Sequence, residues 1–166
     1  MRGVLSIDPG PEVSAWLEYG GPGSEFGGLT FGIGDNQSLV ERLFLFRHND
    51  IVIEKIQSFG MPVGAEVFDT CVWIGRFIQE LHPAKVRLVG RQEVKLHRCH
   101  SVRAKDSNIR QAMIDRFGPG KEKAIGKKAS PGPLYGVKKD IWSALAIAMY
   151  HLDTRESPIE TPGSTD

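Results

Sequence analysis

A chain of 166 residues, 40% hydrophobic and 25% charged, has the size of one globular domain and enough apolar side chains to bury a core, which excludes general disorder. No apolar run approaches the roughly 20 residues of a membrane-spanning helix, the opening MRGVLSIDPG lacks the pattern of a secretory signal, and two cysteines, Cys71 and Cys99, exclude a disulfide framework and a four-cysteine zinc site. The formal net charge is only +1, but it is unevenly distributed along the chain.

Residues 3–8, GVLSID, form an apolar run that ends in an acid and is broken at once by Pro9 and Gly10, which predicts a buried strand. Residues 13–19, VSAWLEY, predict a second strand. A turn at Gly20, Gly21, Pro22 and Gly23 leads to a third over 26–33, and the three together read as an antiparallel meander. From Asn36 the spacing becomes helical, with Leu39, Val40, Leu43, Phe44 and Phe46 recurring and Asp35 or Asn36 as the cap.

Residues 50–54, DIVIE, are a compact strand that again ends in an acid. After Gly60, Pro62 and Gly64 comes a helix over 65–81 with Val67, Cys71, Ile74, Phe77, Ile78 and Leu81 on one side. Trp73, Ile74 and Phe77 read as core, with one face available to a dimer. KVRLV, 85–89, is a further strand, and 104–117 a helix presenting Ile109, Met113, Ile114 and Phe117. Residues 118–137 hold five Gly and three Pro, too broken for a regular element. A last helix is predicted over 138–152, and a polar, flexible tail over 154–166. The expected fold is α/β, one domain over 1–153, with a mixed five-stranded sheet of meander and parallel strands flanked by helices.

The charge division falls inside this order. Residues 85–139 carry 15 of the 21 Lys and Arg against four acids (Glu93, Asp106, Asp115 and Glu122), a net of +11, and the remainder carries −10. A short charge run is usually a solvated face. Fifty-five residues with this excess point instead to a surface for a polyanion, since each cation placed near a phosphate releases counterions. Lys105, Arg110, Lys127, Lys128, Lys138 and Lys139 are the candidates for phosphate contacts, with some of them simply solvated. Phe59, on the loop after Glu54, is either a base-stacking wedge or a core or dimer residue.

Three acids carry the candidate chemistry. Asp8 and Glu54 each close a strand, and ligand sites of open α/β sheets lie outside the carboxyl ends of strands. Asp140 stands at the start of the last helix. Singly, each has a structural explanation: Asp-Pro-Gly is turn chemistry, and an acid at a helix N-terminus answers its dipole. Gathered on one sheet edge, they would repel one another unless neutralised, and hard oxygen donors select Mg²⁺, with Mn²⁺ the alternative. Such a cluster beside a basic surface suits phosphodiester hydrolysis. His97, Cys99 and His100 lack a second ligand pair at zinc spacing, and neither GxSxG nor GxxxxGK[ST] occurs.

The segments LSIDPGPEVSAW, VIEKIQSFGMPVG, AKDSNIRQAMIDRFG and KKASPGPLYGVKKDIWSALAIAMYH, in this order, resemble the RuvC-type Holliday-junction resolvases, in particular their phage-encoded branch, within the ribonuclease H-like superfamily. The resemblance implies a ribonuclease H-like fold and a homodimeric, Mg²⁺-dependent endonuclease that nicks four-way DNA junctions symmetrically in a bacterial cytoplasm, including after phage infection. It also implies catalytic and metal-ligand roles for Asp8, Glu54 and Asp140. Ser143 stands where many members carry a second aspartate, which leaves water, Asp69 or Asp106 as the fourth ligand. Two other functions remain open: a nuclease acting on RNA–DNA hybrid, flap or other branched DNA, and a non-catalytic nucleic-acid-binding module.

Overall fold

The computed structural model describes residues 2–20, 28–58, 60 and 62–155. Strands β1 (Val4–Asp8), β2 (Val13–Tyr19), β3 (Leu29–Asp35), β4 (Asp50–Lys55) and β5 (Val86–Gly90) form one sheet in the order β3-β2-β1-β4-β5. The first three are an antiparallel meander, and β4 and β5 add in parallel to β1. This is the mixed, five-stranded sheet with helices on both faces that the sequence predicts.

Period-two alternation sorts the strand residues between two cores. Leu5 and Ile7 of β1 and Ile51 and Ile53 of β4 face α1 (Asn36–Arg42), a short 3₁₀ turn at Leu43–Phe46 and α2 (Ala65–Leu81). There they meet Leu39, Leu43, Ile74, Phe77 and Leu81. Val4 and Val52 face the other way, against α4 (Asp106–Phe117) and α6 (Ile141–Thr154), among Met113, Ile114, Leu145 and Met149. Ile74 and Phe77 are core as expected, and Trp73 packs against them half-buried with Arg76 4.2 Å above its ring.

Several boundaries differ from the sequence reading. The third strand runs 29–35 rather than 26–33, and residues 21–27 lie outside the described residues. The residues after β5 form a helix, α3 (Arg91–Cys99), that the sequence did not announce. Only Val94, Leu96 and Cys99 of its nine residues are apolar, and Val94 alone is buried, so the basic composition masks it. The stretch 118–137 is less irregular than its Gly and Pro content suggests. It contains a one-turn helix, α5 (Lys121–Ala124), and a two-stranded ladder, β6 (Gly126–Lys127) with β7 (Ser130–Pro131). Gly126 there has φ +71, and an added Cβ would stand 2.3 Å from the Ser130 carbonyl oxygen, so the hairpin requires glycine. The last helix starts at Ile141, not 138, and runs to Thr154, after which Arg155 pairs with Asp50 at 3.2 Å.

Asp35 is the cap of α1, accepting from the Ser38 amide at 2.8 Å. Asn36 does different work. It is buried, accepts from the Ser14 hydroxyl at 2.6 Å and donates to the Gly10 carbonyl at 2.9 Å. The turn that follows Asp8 is thereby fastened to β2 and α1.

Candidate active site

In β1 and β4, Ile7 pairs with Ile53, so Asp8 and Glu54 follow one step further along neighbouring parallel strands. Both continue the alternation of Val4 and Val52 and therefore project toward α6. The buried Ser6 hydroxyl donates to the Ala144 carbonyl of α6 at 2.7 Å, and that bond holds the first turns of the helix over the strand ends. Asp140 is the residue immediately before α6, and Ser143 lies in its first turn. The sheet edge and the helix start thus bring the three sequence-predicted acids to one place.

The structural explanations for these acids weaken on inspection. Asp140 makes no side-chain cap hydrogen bond to α6 and its side chain is exposed. Burial, reinforced by the charges of Glu54 and Asp140, pushes the Asp8 carboxyl up to about 7, against Arg91 and a hydrogen bond from Ser143, which favour the charged form. Burial likewise raises Glu54, opposed by Arg91. Two carboxyls displaced upward by burial and by neighbouring carboxylates mark a place where negative charge is crowded.

A cleft of about 340 Å³ opens beside them between β4, α3, α4 and α6. Its polar lining comprises Glu54, Arg91, Lys95, Asp106, Ser107, Arg110, Lys139, Asp140 and Ser143, over a floor that includes Val94, Ile109, Trp142 and Ile147. Arg91 spans it, 3.6 Å from Glu54 and 2.7 Å from Asp106. The hydrogen bond from Arg91 holds Asp106 below the usual carboxylate range.

The oxygen donors of Asp8, Glu54 and Asp140 suit a hard divalent cation in chemistry. In spacing they do not yet enclose one: among the described residues no three His, Cys, Asp or Glu side chains form a group that could hold a metal ion. Of the residues considered for a fourth ligand, Asp106 lines the cleft, whereas Asp69 lies on α2 on the opposite side of the sheet. His97 pairs with Asp153 at 3.1 Å, and Cys71 and Cys99 are free thiols.

The six proposed phosphate contacts are all exposed. Lys138 and Lys139 lead into Asp140, and Lys139 has φ 48, a left-handed backbone rare for a non-glycine residue and often found at functional sites. Lys105 precedes α4, and Arg110 lies over the Trp142 ring at 4.9 Å. Lys127 and Lys128 stand on the β6–β7 hairpin. Phe59 lies outside the described residues. Arg91 and Lys95 were missed as site residues, because in sequence they are two cations among fifteen.

No protein-family model matches the chain, and no curated protein matches it in sequence. Its fold is similar to solved structures of RuvC from Thermus thermophilus. One, described as T. thermophilus RuvC in complex with Holliday junction substrate, has a TM-score of 0.65 at 16% identity, covering 92% of this chain and 93% of that one. Another, of Thermus thermophilus RuvC, has a TM-score of 0.60 at 18% identity, covering 90% and 93%. At these identities the likeness is one of fold. Among the described residues no helix is long and apolar enough to cross a membrane.

Proposed function

We propose that this protein is a structure-specific endonuclease that resolves four-way DNA junctions by symmetric, metal-dependent phosphodiester hydrolysis, over a nuclease domain spanning 1–153. The observation that carries this reading is the meeting of Asp8 and Glu54 with Asp140 beside a cleft bordered by the basic segment. The likeness in fold to a RuvC structure holding a Holliday junction substrate supports the choice of DNA.

Asp8, Glu54 and Asp140 are the residues that would hold Mg²⁺, or Mn²⁺. The chemistry such an ion supplies when bound is activation of water and neutralisation of charge on the phosphate. The protein's own part is orientation. The β1–β4 register fixes two carboxylates, Ser6 fixes the helix that brings the third, and Ser143 hydrogen-bonds Asp8 in its charged form. Lys138 and Lys139 place positive charge where a strand entering the cleft would bring its phosphates. Lys105, Arg110, Lys127 and Lys128 extend the grip along the backbone.

Symmetric cutting of two strands needs two sites, hence a homodimer. α2 offers a surface for it: Phe68 and Val72, one turn apart, are 62% and 61% exposed, and Ile78 follows on the same helix. The test is a gel assay on labelled four-way junction, linear duplex and RNA–DNA hybrid, each with Mg²⁺ or EDTA. Paired nicks in the junction alone, abolished by EDTA, are expected. Cutting of hybrid or flap would move the substrate, and a junction bound but never cut would leave a binding module.

A further inference from the structure

The acidic site already contains a cation, the guanidinium of Arg91. The β4–β5 register pairs Glu54 with Val89 and Lys55 with Gly90, so Arg91, the next residue, starts α3 at the strand end that carries Glu54. The Gly90 amide donates to the Glu93 side chain, which anchors the start of α3. The Arg91 side chain is freer, 43% exposed and divided between two carboxylates. Its hold on Asp106 at 2.7 Å is a direct hydrogen bond, whereas Glu54 at 3.6 Å is an ion pair beyond hydrogen-bond length.

The carboxylates, as they stand, do not form a group that could hold a metal ion. A guanidinium and a divalent cation on the same carboxylate would repel each other, so the two compete for Glu54. The stronger contact to Asp106 gives Arg91 a place to stay when it leaves.

We infer that Arg91 is a resident cation that must release Glu54 before a divalent ion can be held by Asp8, Glu54 and Asp140, and that Asp106 is the positioning residue that retains Arg91 at the cleft mouth. This rests on the metal-site reading above. Arg91 thereby keeps Glu54 neutralised while the site is empty and stands ready at the rim for a phosphate once it is filled. The geometry separates the two roles, because Asp106 is 72% exposed and hydrogen-bonds Arg91, whereas Glu54 is largely buried beside Asp8.

The test is titration of the DNA-free protein with Mn²⁺, reading the free ion by its electron paramagnetic resonance signal. Arg91→Met should tighten Mn²⁺ binding at least about fivefold, and Arg91→Lys should stay near wild type. Asp106→Asn should weaken binding, because Arg91 then closes on Glu54, and its effect should shrink severalfold when combined with Arg91→Met. Lys121→Met, which removes an exposed cation on α5 away from the cleft lining, controls for general charge and should change affinity less than about twofold. Equal Mn²⁺ affinity in wild type and Arg91→Met overturns the inference, as does an Asp106→Asn effect of the same size with and without Arg91. Should Arg91→Met fail to fold by circular dichroism, unchanged affinity in Asp106→Asn alone overturns it. Mn²⁺ bound by none of the variants overturns the metal-site reading itself, a result distinct from equal binding by all.

Discussion

The Ser6 hydroxyl and the Ala144 carbonyl, 138 positions apart in the chain, are joined by a buried hydrogen bond of 2.7 Å. It ties β1, which ends in Asp8, to α6, which begins just after Asp140. Ser6→Ala leaves a buried carbonyl without its side-chain donor and should cost about 1 kcal/mol in urea unfolding. The same change should loosen α6 over the strand ends and lower the cleavage rate more than junction affinity. A variant with full stability loss and full activity would show that the bond is structural only.

Asp8 makes stability depend on pH in a defined direction. Its folded pKa is raised from 3.8 to about 7, so the native state holds a proton that the unfolded chain gives up. The contribution is fully present below pH 3.8, drains as pH rises, and is gone above about 7. Asp8→Asn should flatten this fall and raise stability at pH 8 by on the order of 2 kcal/mol. Adding EDTA to Mg²⁺-loaded protein at pH 8 should lower the Tm of wild type and leave Asp8→Asn unmoved.

Asp8→Asn, Glu54→Gln and Asp140→Asn should each reduce junction cleavage by about 100-fold or more while junction affinity stays within a few-fold of wild type. Single-turnover cleavage alongside gel-shift binding separates the two quantities. Loss of binding in step with loss of cleavage would mean that the acids shape the fold rather than the chemistry.

On the proposed DNA path, the hairpin lysines contribute to affinity and not to the cleavage step. Lys127→Ala with Lys128→Ala should reduce the slope of log affinity against log salt by about 2, one unit for each phosphate lost. Gly126→Ala should reproduce part of that loss with no charge changed, since a Cβ cannot fit against the Ser130 and Gly132 backbone. An unchanged salt slope would place the hairpin off the DNA path.

On α2, Phe68→Asp with Val72→Asp should convert a dimer to a monomer in light scattering. Junction nicking would then become unpaired while each remaining cut stays metal-dependent. A wild-type monomer at working concentration would remove the basis for symmetric cutting.

Much of this arrangement could be read from residues alone, where local signals agree with the fold. Asp8 and Glu54 were legible because each closes a short apolar run, and the meander was legible from its alternation. The extra helix α3 was not. Eight of its nine side chains are not buried, and its start is hidden in a run that reads only as basic. Arg91 went unseen for the same cause: its partners Glu54 and Asp106 lie 37 positions before it and 15 after, a proximity that only strand register creates. The paired strands of the hairpin, two residues each, are too short to leave a period in the sequence. Asp140, expected inside its helix, stands just before it, exposed and without a side-chain hydrogen bond to the helix.

α6 is fastened to the sheet near both ends, by Ser6 at its start and by His151 and the following Arg155 against Asp50 at its finish, and it is buried along nearly its whole length. Its amides should therefore exchange with deuterium only when the whole molecule opens. A helix with no partial melting step cannot release Asp140 by fraying, so heat should extinguish the acidic cleft and the fold at one temperature.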